Sequence, residues 1–377
     1  MKIAMIGHKR IPSREGGVEI VVEETAARLV ALGHIVHAYN RMGNYVHGGS
    51  YVNSKINYYR GIKIIRIPTI PLKGLDALIY SFFAAMRALF GQYDIVHFHA
   101  EGSGVMILLM HLFGIKTFST IHGLDWQRAK WGSLAVRYIK LGEKIIAKYA
   151  DEIIALSKNN QKYFLDNYGR KVNFIPNGIN KPIFLEASTI KEKYGLEKNS
   201  YVLFLARLVP EKGLDYLIEA FRQINTDKKL VIAGGSSHSS DYESHVKELA
   251  ALDKRIIMTG FVHGTILEEL FSNCAVYVLP SDVEGMPISL LEAMSYGCSC
   301  LVSDIPENLE VIEDFAVTFK KANINDLKIK LENLLLHSNI KYTSQEIASY
   351  ITMRYNWDSI INEHIKLYNC NFEESLS

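Results

Sequence analysis

The stretch that decides the fold covers residues 280–297 and reads PSDVEGMPISLLEAMSYG. Ahead of it, residues 275–279 (AVYVL) form a short apolar run of the kind that makes a buried strand. A polar loop with Asp282, Glu284 and Gly285 follows, and Pro287 opens a helical pattern. Proline is favoured at the first helical position, where its missing N–H would be unpaired anyway. Gly297 closes the helix at its C-terminus. The pattern predicts a strand–loop–helix unit with Glu284 in the loop and Glu292 about two turns further along. Unpaired N–H groups and the helix dipole converge at such an N-terminus and suit an anion. Two carboxylates do not bind an anion, but they accept hydrogen bonds from the hydroxyls of a sugar or a ribose. A surface loop followed by an ordinary acidic helix fits the same letters.

Outward from this stretch, the second half alternates strands near 201–205, 229–233, 255–259, 275–279 and 299–302 with helices near 212–223, 241–251, 265–272, 287–296 and 325–336. The first half does the same. Strands are expected at 2–7, 35–39, 62–67, 94–98, 116–121, 152–156 and 172–175, and helices at 18–32, 75–90, 104–113, 132–149 and 158–167. Such alternation predicts βαβ units and parallel sheets. The fold class is therefore α/β, with two Rossmann-like, doubly wound domains facing across a cleft, where ligands gather at the C-terminal ends of the strands. The turn residues Pro176, Asn177 and Gly178 mark the hinge. The expected domains are 1–175 and 176–354, with a last helix, within about 355–377, crossing back to the first.

At 377 residues, with 48% hydrophobic and 22% charged content, the chain has the length and composition of two soluble domains. The net charge of +2 hides an asymmetry. Residues 1–172 carry 23 Lys and Arg against 12 Asp and Glu, or +11, and residues 173–377 carry 19 against 28, or −9. One half is thus suited to an anionic surface, such as nucleic acid or the inner leaflet of a membrane. The four cysteines form no C-x-x-C pair and suit a reducing compartment. The opening MKIAMIG runs straight into a strand, and Asp76 and Arg87 interrupt the most apolar segment, so neither a signal peptide nor a membrane span is expected.

Three groups could carry chemistry. In ARLVPEKG, Arg207 and Lys212 lie just past a strand and suit a diphosphate, the arginine as a rigid fork and the lysine as a mobile point charge. Taken alone such a pair is more often surface charge. DIVHFHAEG places His97 and His99 two apart, on one face of a strand or its exit, and STIHGLDW places His122, Asp125 and Trp126 just after another strand. His97 reads as a core residue, and His122, between an apolar strand and a glycine, is the stronger catalytic candidate. Residues 128–148 carry Arg128, Lys130, Arg137, Lys140, Lys144 and Lys148 against Glu143, interleaved with Trp131, Tyr138 and Ile145. A basic helix with interfacial aromatics fits peripheral membrane binding, and a solvated helix face is the rival. No nucleic-acid recognition motif accompanies it. The early loop with Gly16 and Gly17 is neither a dinucleotide fingerprint nor a phosphate loop. It fits a tight turn or a close backbone approach to a ligand. No metal-ligand spacing appears, so no tightly bound metal is expected.

Taken together, EGGVE at 15–19, HFHAEG, IHGLDW, FIPNGI at 174–179, ARLVPEKG at 206–213 and EGMPISLLE at 284–292 resemble, in order, the retaining nucleotide-sugar glycosyltransferases of family 4. That family has the GT-B fold. The opening MKIAMIGHKRIPSREGGVEIVVEE and GLDWQRAKWG are similar to a branch that builds capsule, O-antigen or exopolysaccharide and includes rhamnosyltransferases. Ala206 departs from the family's usual glycine before the arginine. The resemblance implies that Arg207 and Lys212 hold the donor diphosphate, that Glu292 accepts from the ribose and Glu284 from the donor sugar. Gly285, Met286 and Pro287 would approach sugar and phosphate, Gly16 and Gly17 would close over the diphosphate, and Gly260, Phe261 and Val262 would lie near the base. His122 would sit by the reacting centre, with His99, Asp125 and Trp126 on the acceptor side. It also implies a metal-independent reaction with no cofactor beyond the donor, domain closure that excludes water, and a polyprenyl-diphosphate-linked acceptor at the inner membrane face. The donor sugar could be rhamnose, glucose or galactose. A GT-B 2-epimerase, which needs no acceptor, and a non-catalytic nucleotide-sugar-binding assembly partner remain as alternatives.

Overall fold

The computed structural model describes residues 1–14, 16–42, 56–70, 75–128, 131–235, 240–336 and 341–373. The chain divides into two compact units, Met1–Asn177 with Trp357–Ser377, and Gly178–Asn356.

The first unit begins β1 (Lys2–Ile6), α1 (Gly17–Ala31), β2 (Ile35–Met42), β3 (Tyr58–Tyr59), β4 (Ile62–Pro68), α2 (Leu75–Leu89) and β5 (Ile95–His99). It continues through α3 (Ile107–Leu112), β6 (Thr117–Ile121), α4 (Ser133–Tyr149), β7 (Glu152–Ala155), α5 (Lys158–Tyr168) and β8 (Asn173–Phe174). The sheet order is β3-β4-β2-β1-β5-β6-β7-β8. Every pairing is parallel except that of β3, whose two residues are too short to show a period. The chain moves one way from β1 to β2 and the other way from β5 to β8. Right-handed crossovers therefore put α1 on one face and α2 to α5 on the other.

The second unit comprises α6 (Thr189–Tyr194), β9 (Tyr201–Leu205), α7 (Leu214–Arg222), β10 (Lys229–Ala233), α8 (Ser240–Ala251), β11 (Ile256–Gly260), α9 (Thr265–Asn273) and β12 (Val276–Leu279). There follow α10 (Ile288–Ser295), β13 (Cys300–Ser303), α11 (Pro306–Ile312), β14 (Val317–Phe319), α12 (Ile324–Leu336) and α13 (Ser344–Arg354). Its sheet is parallel throughout, in the order β11-β10-β9-β12-β13-β14. The final helix, α14 (Trp357–Glu373), packs in the first unit. There Tyr368 donates or accepts at His97 Nδ1 (2.7 Å), and the Trp357 ring lies against the Arg28 guanidinium.

Two local expectations need correction. The helix expected at 104–113 is a 3-10 turn, Glu101–Met106, followed by the short α3. Gly102 and Gly104 weaken an α-helix there. The turn also presses on α4, where a Cβ at Gly142 would fall 2.2 Å from the Glu101 carbonyl oxygen. Pro287 caps α10 instead of opening it, with φ −78° and ψ 95°. At the other end, Gly297 N–H bonds Met294 O (2.9 Å) and Cys298 N–H bonds Ala293 O (3.1 Å), the paired bonds of a Schellman motif. Leu290, Leu291 and Met294 are fully buried, which fixes the helix on its sheet. Truncating one of these leucines to alanine costs about 2–5 kcal/mol.

Candidate active site

In each unit the strand order reverses once, between β1 and β5 and between β9 and β12, and loops leaving the two central strands open a crevice there. The second unit's crevice receives the ARLVPEKG loop from β9 and the loop 280–287 from β12. Gly213 makes the approach possible: its φ is +60°, and a Cβ would stand 2.2 Å from the Pro280 carbonyl oxygen. The Asp282 N–H bonds Glu211 O (2.9 Å), and Tyr216 donates to Asp282 Oδ2 (3.1 Å). Lys212 and Glu284, eight-tenths or more buried, form an ion pair across the two loops. Ser281 donates to the same Glu284 oxygen (2.6 Å), while Ser303 donates to the Ser281 carbonyl and is itself held by Asn308 (3.0 Å).

Arg207 is half-buried at the start of the first loop, and Glu292 half-buried on α10. Tyr277 of β12 is bonded to Ser289 of α10 (2.8 Å). Burial pushes its phenol well up, and the charges of Glu284 and Glu292 add to that shift. Gly285 and Met286 are half-buried in the loop, and Pro287 is buried. Gly260 ends β11, and Phe261 and Val262 follow it. Gly234 N–H bonds Gly260 O (2.8 Å), and a Cβ at Gly234 would fall 1.9 Å from the Ala206 carbonyl. Of these residues the structure joins Lys212 and Glu284 directly, while Glu292 lies on α10 and Gly260 ends β11.

The first unit's crevice is lined with histidine. Gly7, with φ +117°, lets the loop after β1 pass the end of β5; a Cβ would stand 1.8 Å from the His99 carbonyl oxygen. His97 is fully buried between Tyr368 and Thr120 Oγ1 (2.8 Å), which makes it a core residue. His99 and His122 bond through Nδ1 and Nε2 (3.1 Å), and His99 Nε2 meets Met5 Sδ (3.4 Å). Sulfur only accepts, so His99 carries its hydrogen on Nε2 and accepts at Nδ1 from His122 Nε2–H. Burial lowers His122 to about 4 and His99 well below its ordinary value, so both rings are neutral. The lone pair of His122 is therefore on Nδ1. His8 bonds Asn40 Oδ1 (3.0 Å) and is lowered to about 4 by burial.

Gly16 caps α1 in extended conformation and Gly17 begins it. Glu19 turns back to accept from the Lys9 N–H (3.0 Å), and a Cβ at Gly16 would meet its other oxygen at 2.3 Å. Glu15 and Lys130 lie outside the described residues. Asp125 pairs with Arg128 (3.1 Å), and Lys140 lies over the Trp126 ring (4.1 Å). Sequence reasoning missed His8, Asn40, Glu101 and Ser281. His8, Glu101 and Ser281 follow strands that flank a reversal, and Asn40 lies within β2, next to β1. Among the described residues no group of three or more His, Cys, Asp or Glu side chains could hold a metal ion, and no helix is long and apolar enough to cross a membrane.

Two family models match in series: Glycosyltransferase Family 4 over residues 15–181 and Glycosyl transferases group 1 over residues 186–350. A curated relative in Escherichia coli, UDP-Gal:alpha-D-GlcNAc-diphosphoundecaprenol alpha-1,3-galactosyltransferase, is 31% identical over 58% of this chain and 59% of its own. N,N'-diacetylbacillosaminyl-diphospho-undecaprenol alpha-1,3-N-acetylgalactosaminyltransferase of Campylobacter jejuni is 28% identical over 60% and 62%. Both matches thus span less than two thirds of the relatives. Sucrose-phosphate synthase from Thermosynechococcus elongatus superposes with a TM-score of 0.84 at 21% identity, covering 99% of each chain, and shares the fold. Between them the two glycosyltransferase models cover most of the chain, and its two parallel α/β units have the GT-B fold.

Proposed function

We propose that this protein is a retaining glycosyltransferase. It moves a sugar such as rhamnose, glucose or galactose from a nucleoside diphosphate to a polyprenyl-diphosphate-linked oligosaccharide, in capsule, O-antigen or exopolysaccharide synthesis. The observation that carries this reading is the convergence of Lys212 and Glu284 at the strand reversal of the second unit, with Arg207 at the start of the loop that carries Lys212 and α10 beginning four residues beyond Glu284. Breaking the anomeric bond leaves positive charge on the sugar and negative charge on the diphosphate. Arg207, Lys212 and the N–H groups at the start of α10 supply the compensating field without a metal. Glu284 accepts from the sugar's hydroxyls and Glu292 from the ribose. The acceptor attacks from the face the diphosphate leaves, and a departing phosphate oxygen takes its proton, so no protein base is needed. The neutral His122, with its lone pair on Nδ1, accepts from a hydroxyl at the reacting centre.

The two polyprenyl-linked relatives support the acceptor class. The face of α2 to α4 supports a site on the inner membrane surface. Phe82, Phe83, Phe90, Leu112, Phe113 and Leu134 are exposed there, beside exposed Arg137, Lys140, Lys144 and Lys148. Exposed aromatics within a basic field bind an anionic lipid surface. The deciding experiment incubates a panel of nucleotide sugars with membrane-extracted lipid acceptors and identifies the product by mass spectrometry. A lipid product one sugar heavier is expected. Epimer formation without acceptor, or donor binding with no turnover across the panel, would replace this reading. Sedimentation with anionic but not neutral liposomes is expected, and equal binding to both would remove the membrane site.

A further inference from the structure

Glu101 and Glu143 are both fully buried. Glu101 opens the 3-10 turn after β5, and Glu143 lies midway along α4. Glu101 Oε2 accepts from the Asp125 N–H (2.9 Å). Glu143 Oε1 accepts from Tyr163 (2.8 Å) and from Tyr168. Each carboxyl keeps one buried oxygen, Oε1 of Glu101 and Oε2 of Glu143, without a hydrogen-bond donor. Arg128 pairs with Asp125, and Lys140 covers the Trp126 ring. Tyr138, the remaining titratable side chain on α4 beside the turn, donates to the Gly102 carbonyl (3.0 Å).

The Glu101 carboxyl lies within hydrogen-bonding reach of Glu143, and Gly142 of α4 packs on the Glu101 main chain; two buried carboxylates so placed repel each other and lose hydration. One proton removes the conflict and satisfies both orphaned oxygens, because an O–H···O⁻ bond between carboxyls is short and strong. Burial, then the charges of Asp125 and Glu143, push the Glu101 carboxyl well above the usual carboxylate range.

We propose that Glu101 is a positioning residue which shares one proton with Glu143 and thereby fixes the main chain of the loop 122–126 that carries His122, Asp125 and Trp126. Oε1 of Glu101 donates the shared proton to Oε2 of Glu143, so the pair carries a single negative charge. This role rests on the acceptor-side reading of that loop. The pair holds its one proton at neutral pH. It loosens as pH rises through the raised Glu101 value, when the second charge appears.

The test combines infrared spectroscopy with steady-state kinetics on the full chain. A protonated-carboxyl band is expected in the wild type at neutral pH and absent in Glu101→Gln. Glutamine still offers one donor and one acceptor, so Glu101→Gln should keep the acceptor KM within about twofold and lose the alkaline limb of its pH profile. Glu101→Ala should raise the acceptor KM by about tenfold or more, as loss of a buried hydrogen bond implies, with donor KM unchanged. No protonated band in the wild type would overturn the shared proton. Equal acceptor KM in Glu101→Gln and Glu101→Ala would overturn the positioning role. If Glu101→Ala fails to fold, the band and the pH profile of Glu101→Gln decide. If no donor and acceptor react at all, the functional reading fails, while the band still reports on the proton.

Discussion

Lys212 and Glu284 neutralise each other across two loops that leave neighbouring strands, and Ser281 holds the same carboxylate oxygen from behind. An ammonium has three donors, so pairing with Glu284 leaves others to aim at a phosphate. Replacing either partner therefore has two effects, loss of its own contact and release of the other. Lys212→Ala should weaken nucleoside diphosphate binding by about 10–100-fold, the worth of a charge-assisted bond of roughly 1.5–3 kcal/mol. Glu284→Ala should lower turnover far more than nucleoside diphosphate affinity. Calorimetric titration with UDP and other nucleoside diphosphates, beside turnover assays, separates the two. Equal collapse of affinity in both variants would count against placing Glu284 on the sugar.

Gly213 is where the two loops touch. A valine there meets the Pro280 carbonyl and must also hold φ near +60°, so Gly213→Val should destabilise the second unit by several kcal/mol. Thermal unfolding followed by circular dichroism measures it. An unchanged midpoint would show that the loops yield without cost.

His8 and His122 are buried neutral. Their folded values, about 4, lie below the ordinary 6.5, so the stability they contribute is complete above about pH 6.5 and is lost as pH falls toward 4. A shift of that size corresponds to about 3 kcal/mol per ring as an upper figure. Denaturant unfolding at pH 7.5 and pH 5 should show the loss, smaller in His8→Asn. NMR titration should find the His122 ring still neutral at pH 6.

Tyr368 reaches the fully buried His97 from the last helix. Tyr368→Phe keeps the ring packing against Phe118 and removes the hydroxyl, at a cost of about 1 kcal/mol. Tyr368→Ala also opens a cavity and should cost about 3–5 kcal/mol. Unfolding curves of the two variants test the difference.

Much of this architecture was legible in the letters. Strand–helix alternation gave both parallel sheets, because buried strands read as apolar runs and their flanking helices carry a 3.6-residue period. The strands Tyr201–Leu205 and Lys229–Ala233 begin and end where that pattern puts them. Short or crowded pieces escaped. Residues 306–312 and 317–319 are too brief for a period to show, and the turn at 101–106 owes its shape to contact with α4 rather than to its own sequence. In the candidate site, Arg207, Lys212, Glu284 and Glu292 stood out by residue type and motif. His8 and Glu101 did not, because their partners Asn40 and Asp125 lie far away in sequence, and Ser281 did not, because a serine in a polar loop carries no signal of its own. The sulfur contact that orients the His99 and His122 rings has no linear signature at all.

The helix Trp357–Glu373 has a consequence for synthesis. The second unit is a continuous segment, complete by Asn356, whereas the first unit needs residues from both ends of the chain. On the ribosome the second unit can therefore finish folding while the first still exposes His97 and the apolar floor that Tyr368 will cover. The half made first is the half completed last, and until Tyr368 has been translated its core remains open to solvent and to chaperones.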